Sequence, residues 1–259
     1  MSTVALEPVF FVPLGGSKNG ENGGLNQWLL SSESNPIDGF GGVGNRFVAD
    51  DANDSLRYLA GTQKFAPEEW PMVFVGPSGV GKTTLAVGVG ARVASRRNAP
   101  ITFWTAVEFS RRYRLACETD SLEDWREMLT GSGVLVIDQL DELDTHPAAQ
   151  KELVLVLDLL KTKQIPAIFT VKQQTLRSGE LMPQLESRLA AGLNLSVRPP
   201  GLAAREQLVR SLAAESNLSL SDGAIGYVAK ELPVTVPRIR HFLNQLYTCL
   251  LYTSDAADE

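Results

Sequence analysis

Met72-Val73-Phe74-Val75-Gly76-Pro77-Ser78-Gly79-Val80-Gly81-Lys82-Thr83-Thr84-Leu85-Ala86 carries the reading of this chain. An apolar run leads directly into GxxxxGK[ST], Gly76 to Thr83, and an alanine- and valine-rich stretch follows, so the motif sits where a strand ends and a helix begins. That setting separates a phosphate-binding loop, or P-loop, from a glycine turn with an exposed lysine. Glycines let the backbone turn its N–H groups around phosphate oxygens, and the helix behind them aims its positive dipole end at the same charge. The residues predicted to hold a nucleotide are therefore Gly76, Pro77, Ser78, Gly79, Val80, Gly81, Lys82, Thr83 and Thr84. Within this set Lys82 reaches the β- and γ-phosphates, and the Thr83 hydroxyl holds Mg2+.

Working outward, Ile101-Thr102-Phe103-Trp104-Thr105 is β-branched and aromatic, the composition of a strand, and Ala106 to Glu118 reads as a helix bearing Arg111, Arg112 and Arg114. Ser121 and Asp124 have the spacing of a capping box before a short helix with Trp125 and Met128. Val134-Leu135-Val136-Ile137-Asp138 is a continuous apolar run ending in a carboxylate, the pattern of a strand buried on both faces whose C-terminal end opens on a ligand. Two strands after a P-loop, that acid is the Walker B aspartate that holds Mg2+. Pro147 to Thr162 is predicted helical, Ile165 to Val171 a strand, Leu185 to Gly192 an arginine-bearing segment, and Leu193 to Val197 a last short strand before Pro199-Pro200. Beyond the prolines, Ala203 to Glu215, Ser221 to Lys230 and Pro237 to Tyr247 read as three short helices, a small lid.

Upstream, residues 1–35 are rich in glycine, asparagine and serine and read as a flexible arm. Asn45 to Thr62 looks helical, with Phe47, Leu56, Tyr58 and Leu59 apolar, and is placed to wall a nucleotide base. The expected division is a nucleotide-binding unit over 36–200 and a lid over 201–248. An apolar share of 44% with 21% charged residues is that of an ordinary globular protein, and a net charge of −6 confines any nucleic-acid contact to a local patch. Cys117 and Cys249 have no partner at a metal-ligand spacing and make no disulfide framework, which fits a reducing, cytoplasmic setting. No run reaches the roughly 18 apolar residues of a membrane span.

This order of motifs resembles the AAA+ branch of P-loop ATPases: a parallel five-stranded sheet between helices, closed by a helical lid. More closely, it resembles the ATPase domain of the DnaA family of bacterial chromosomal replication initiators. The resemblance rests on Asn45-Arg46, Thr105 to Phe109, Leu135 to Asp138, Glu186 to Leu193 and Arg198 to Arg205, and covers residues 40–248. It implies binding of ATP with Mg2+, with Asp138 at the metal and Arg188 as an arginine finger supporting self-association in the ATP form. Arg238, or Arg240 if the register shifts, would be the lid's sensor of the γ-phosphate. The helix with Arg111, Arg112 and Arg114 aligns with one that lines a channel for single-stranded DNA.

The implied function is a nucleotide-switched initiator that assembles on origin DNA and opens the duplex, with a replicative helicase or loader as a further partner. A regulatory or helicase-loader paralogue acting through protein contacts is the alternative, as is an ATP-binding switch with little hydrolysis. Three departures bear on turnover. Gln139 replaces a second acid after Asp138, Lys172 stands where the family has an acidic sensor, leaving Thr170 as the nearby polar residue, and Gln184 replaces an arginine. A positioned base contributes about 10² to 10⁴ in rate, so hydrolysis is expected to be slow unless Asp141 or Glu142 substitutes. The last residues, Cys249 to Glu259, resemble the translation of a sequencing adapter, which predicts a gene fragment cut near Thr248.

Overall fold

The computed structural model describes residues 10–11, 53, 56, 59, 65–172, 179–216, 218–231 and 235–255. The strands are Phe10–Phe11 (β1), Met72–Val75 (β2), Ile101–Thr105 (β3), Val134–Asp138 (β4), Ala167–Val171 (β5) and Leu193–Ser196 (β6). They form one sheet in the order β1-β3-β4-β5-β2-β6. The five strands from β2 to β6 run parallel to their neighbours, as expected, and β1 adds an antiparallel edge through Phe10 opposite Thr102 and Phe11 opposite Ile101. β1 falls within the segment read as an arm, and the rest of residues 1–35 lies outside the described residues.

The helices are Lys82–Arg97 (α1), Ala106–Glu118 (α2), Leu122–Thr130 (α3), Pro147–Thr162 (α4), Pro183–Ala190 (α5), Leu202–Glu215 (α6), Asp222–Glu231 (α7) and Val236–Asp255 (α8). β4 and β5 are buried along their whole length because helices cover both faces of the sheet, which is why both read as unbroken apolar runs. On one face α1 lays Leu85, Val89 and Val93 against Val136 and Ile168. Their i, i+4, i+8 spacing puts all three on one side of the helix. Leu56 and Leu59 join this cluster, whereas most of Asn45 to Thr62 is outside the described residues. On the other face α2 to α5 bury Phe109, Trp125, Leu153, Val156 and Leu185 against Leu135, Ile137 and Phe169.

Helix ends follow local chemistry. Thr105 caps α2, its Oγ1 accepting the Glu108 N–H at 3.1 Å. Asn98 ends α1 in the left-handed region at φ 48°. The predicted capping box at Ser121 does not close: its hydroxyl pairs with the Thr119 hydroxyl at 2.8 Å instead. The arginine-bearing segment is helical, and α5 begins two residues ahead of it at Pro183 because proline suits the first helical position. The three C-terminal helices share a core of their own built from Val209, Leu212, Ile225, Val228, Ile239 and Leu243. α8 continues past Tyr247 to Asp255, so backbone helix runs through most of the segment read as adapter.

Candidate nucleotide site

The C-terminal ends of β2, β4 and β5 lie side by side, with Val75 opposite Val171 in the register. Directly after them the Gly76 N–H donates to the Val171 carbonyl at 3.2 Å, so the loop starts at the mouth of β5. Gly79 at φ 79° and Gly81 at φ 98° take the left-handed conformation that an L side chain resists, and this curls the loop ahead of α1. Lys82 folds back over the loop and donates to the carbonyls of Gly76 at 2.8 Å and Pro77 at 2.7 Å. Burial pushes its pKa below the ordinary lysine value. Asp141 and Asp138 oppose that shift, and Lys172 adds to it.

Thr83 donates to both oxygens of Asp138 at 2.9 Å, joining the P-loop helix to the end of β4, so the two residues expected to share Mg2+ lie in contact. Asp138 is 3% exposed and receives a second hydroxyl, from Thr170 at the end of β5. Thr170 in turn accepts the Gln139 N–H at 2.9 Å. A hydroxyl and a carboxylate held together are hard oxygen donors of the kind Mg2+ takes, and the remaining positions are suited to phosphate oxygens and water. Among the described residues no group of three or more His, Cys, Asp or Glu could hold an ion unaided. The residues thus fit Mg2+ arriving with a triphosphate.

Gln139 sits at φ 57°, its side chain exposed and its Nε2 3.5 Å from Asp138. Of the two acids that could substitute for a missing base, Asp141 is the one turned inward, at 8% exposed. Both of its oxygens are held by Lys172: Oδ1 by the main-chain N–H at 3.1 Å and Oδ2 by the ammonium at 2.6 Å. That bond raises the Lys172 pKa. Nothing in the spacing of these two residues pointed to their meeting. They come together because β4 and β5 are neighbours.

The outlying arginines divide. Arg188 on α5 makes a bidentate pair with Asp158 on α4, Nε to Oδ1 at 2.8 Å and Nη2 to Oδ2 at 2.7 Å. The pairing holds the Asp158 carboxyl below its usual pKa. Arg240 bonds Glu215 of α6 at 3.2 Å. Arg238 is exposed in the first turn of α8, its N–H on the Thr235 carbonyl at 3.0 Å. Thr235 itself rests on the P-loop: a methyl group built on Gly79 would lie 2.7 Å from the Thr235 Cβ.

Arg112 departs from the expected nucleic-acid set. It is 8% exposed, bonds Glu108 at 2.6 Å and lies 5.0 Å over the Trp104 ring, because its position faces the aromatic cluster of Trp104, Phe109 and Trp125. Arg111 and Arg114 point outward, with side chains 63% and 73% exposed.

The family described as the bacterial DnaA ATPase domain matches residues 42–196. The chain is 24% identical over 198 residues to the chromosomal replication initiator DnaA of Acinetobacter baylyi, covering 76% of this chain and 43% of that protein. It is 25% identical to the Picosynechococcus protein of the same name over 69% of this chain and 40% of that one. The chain therefore spans less than half the length of these relatives. Among solved structures, domain III of Thermotoga maritima DnaA superposes with a TM-score of 0.75 at 20% identity, covering 88% of this chain and 93% of that one. The replication initiator DnaA bound to AMPPCP and single-stranded DNA superposes at 0.69 with 18% identity, covering 79% of this chain and 63% of that one. Both likenesses concern the fold. With the loop, the carboxylate strand and the sheet order agreeing with the family match, this chain belongs to the bacterial DnaA ATPase domains.

Proposed function

We propose that this domain binds ATP with Mg2+ and, in that state, self-associates on DNA as part of a replication initiator that assembles at an origin and promotes duplex opening. The observation that supports this reading is the bond between Thr83 and Asp138 beside Lys82: a hydroxyl and a carboxylate suited to a metal ion and an ammonium suited to phosphate lie at one end of the sheet. Gly76 to Thr84 take the triphosphate, Thr83 and Asp138 take Mg2+, and Arg238 joins lid position to the γ-phosphate. Arg238 is preferred to Arg240 because Arg240 is engaged by Glu215, while Arg238 follows the threonine that touches the P-loop.

Arg188 acts in this reading as the residue that reaches a neighbouring subunit's nucleotide. Its pair with Asp158 lies on the surface, the kind of contact that solvent and salt weaken, so a phosphate can displace it. Sedimentation velocity with ATP and Mg2+ should show higher-order species for the native chain, fewer with ADP, and none for Arg188→Ala. Equal assembly of Arg188→Ala and the native chain would rule this role out.

Single-stranded DNA is the nucleic acid this domain would hold directly, along α2. The exposed Arg111 and Arg114 supply the contacts, whereas Arg112 supports the helix from inside. Arg111→Ala with Arg114→Ala should weaken binding of a labelled single strand and lower the salt slope by about 0.7 for each phosphate no longer neutralised. An unchanged slope would remove α2 from the interface.

A further inference from the structure

We propose that Lys172 is a second phosphate-binding cation of this site, stored on Asp141 until a γ-phosphate draws it away, and that it sets the preference for ATP over ADP. The proposal rests on the nucleotide-binding reading above and adds a residue to it. The family resemblance implies an acid at this position, so the lysine and its charge are a property of this chain.

Position is the first observation. Lys172 follows Val171, whose carbonyl accepts the Gly76 N–H at 3.2 Å, so the lysine leaves β5 beside the first residue of the P-loop. The two halves of Lys172 are held differently. Its main chain is anchored by the N–H bond to Asp141 Oδ1 at 3.1 Å, while its ammonium meets Oδ2 at 2.6 Å from a side chain that is 55% exposed. The carboxylate is fixed, at 7% side-chain exposure, and the lysine end has room to move. A four-carbon stem with a compact charge can change partners without moving the backbone.

Charge is the second observation. Asp141 is a buried carboxylate on the short turn after β4, whose last residue, Asp138, is bound by Thr83 of the P-loop helix. An unneutralised acid there would oppose a triphosphate, and Lys172 removes that opposition while the site is empty. When a γ-phosphate enters, it offers the ammonium a more highly charged acceptor than one carboxylate, and charge-assisted bonds of this kind are the strong ones. ADP ends one phosphate earlier and leaves Lys172 on Asp141.

The test is equilibrium binding of ATP and of ADP, each with Mg2+, to the full chain and to Asp141→Asn, Lys172→Met and the double variant. Lys172→Met alone strands a buried carboxylate and can lower stability. The deciding comparison is therefore Asp141→Asn against Asp141→Asn with Lys172→Met, which differ only in the lysine. The double variant should lose about tenfold in ATP affinity relative to Asp141→Asn, with ADP affinity unchanged, and Lys172→Arg should retain most of the ATP preference. If the ATP-to-ADP ratio is the same in the double variant as in Asp141→Asn, Lys172 serves only to neutralise Asp141 and the proposal is overturned. A native chain that binds neither nucleotide would instead overturn the nucleotide reading itself.

Discussion

Lys82→Ala is expected to weaken ATP binding by about a hundredfold or more. Each hydrogen bond to a charged group contributes about 1.5–3 kcal/mol, and Lys82 is placed to give such bonds to two phosphates. In the structure it holds the Gly76 and Pro77 carbonyls instead, which keeps the ammonium over the loop and ready to exchange. Pro77 is exposed but Gly76 is buried, so alanine should cost some folding stability at the Gly76 carbonyl, and the larger loss should fall on affinity. Isothermal titration with ATP and Mg2+, run beside a thermal melt, separates the two. Native-like affinity in a folded Lys82→Ala protein would refute the assignment of the loop as a phosphate site, and the roles given to Thr83 and Asp138 would go with it.

Thr170→Val carries the second large effect, and it falls on stability and metal dependence together. The Thr170 side chain is fully buried, donates to Asp138 and accepts from the Gln139 N–H. Valine has nearly the same shape, so packing is preserved while the part-buried Gln139 N–H loses its acceptor and the buried Asp138 loses one of its hydroxyls. Leaving a buried polar group unpaired costs about 1–3 kcal/mol, which for a chain of this size lowers the melting temperature by about 2–4 °C for each kcal/mol. With one of its restraints gone, the Asp138 carboxylate should also hold Mg2+ less well, so ATP binding should need more Mg2+ to reach the same occupancy. Thr170→Ser keeps the hydroxyl and should restore most of both properties. A Thr170→Val protein with native melting and native Mg2+ dependence would show that the hydroxyl does not position the carboxylate.

The same hydroxyl relay explains the backbone at Gln139. Its left-handed conformation turns the N–H toward Thr170, while the exposed side chain keeps its Nε2 3.5 Å from Asp138. An acid at that position would start from the same backbone. The inward carboxylate of this site comes instead from Asp141, on the short turn that follows, and there it is in the grip of Lys172.

Much of this was readable along the chain because the signals are local. GxxxxGK[ST] between an apolar run and a helix is a contiguous pattern, and Asp138 ends a strand that must be apolar on both faces, so the loop, the meeting of Thr83 with Asp138 and the parallel sheet follow from short stretches. The contacts between residues far apart in sequence were not readable. Thr170 with Asp138, Lys172 with Asp141, Arg188 with Asp158 and Thr235 with Gly79 each join residues about thirty or more positions apart, and no periodicity encodes which of them will meet. Arg112 shows the same limit within one helix. Its charge suggested an outward arginine like Arg111 and Arg114, but the helix is rotated by the burial of Phe109 and Ala116, and that rotation turns Arg112 onto Trp104. Local chemistry selects the elements, whereas packing of one element on another determines which side chains reach the site and which are used to hold it together.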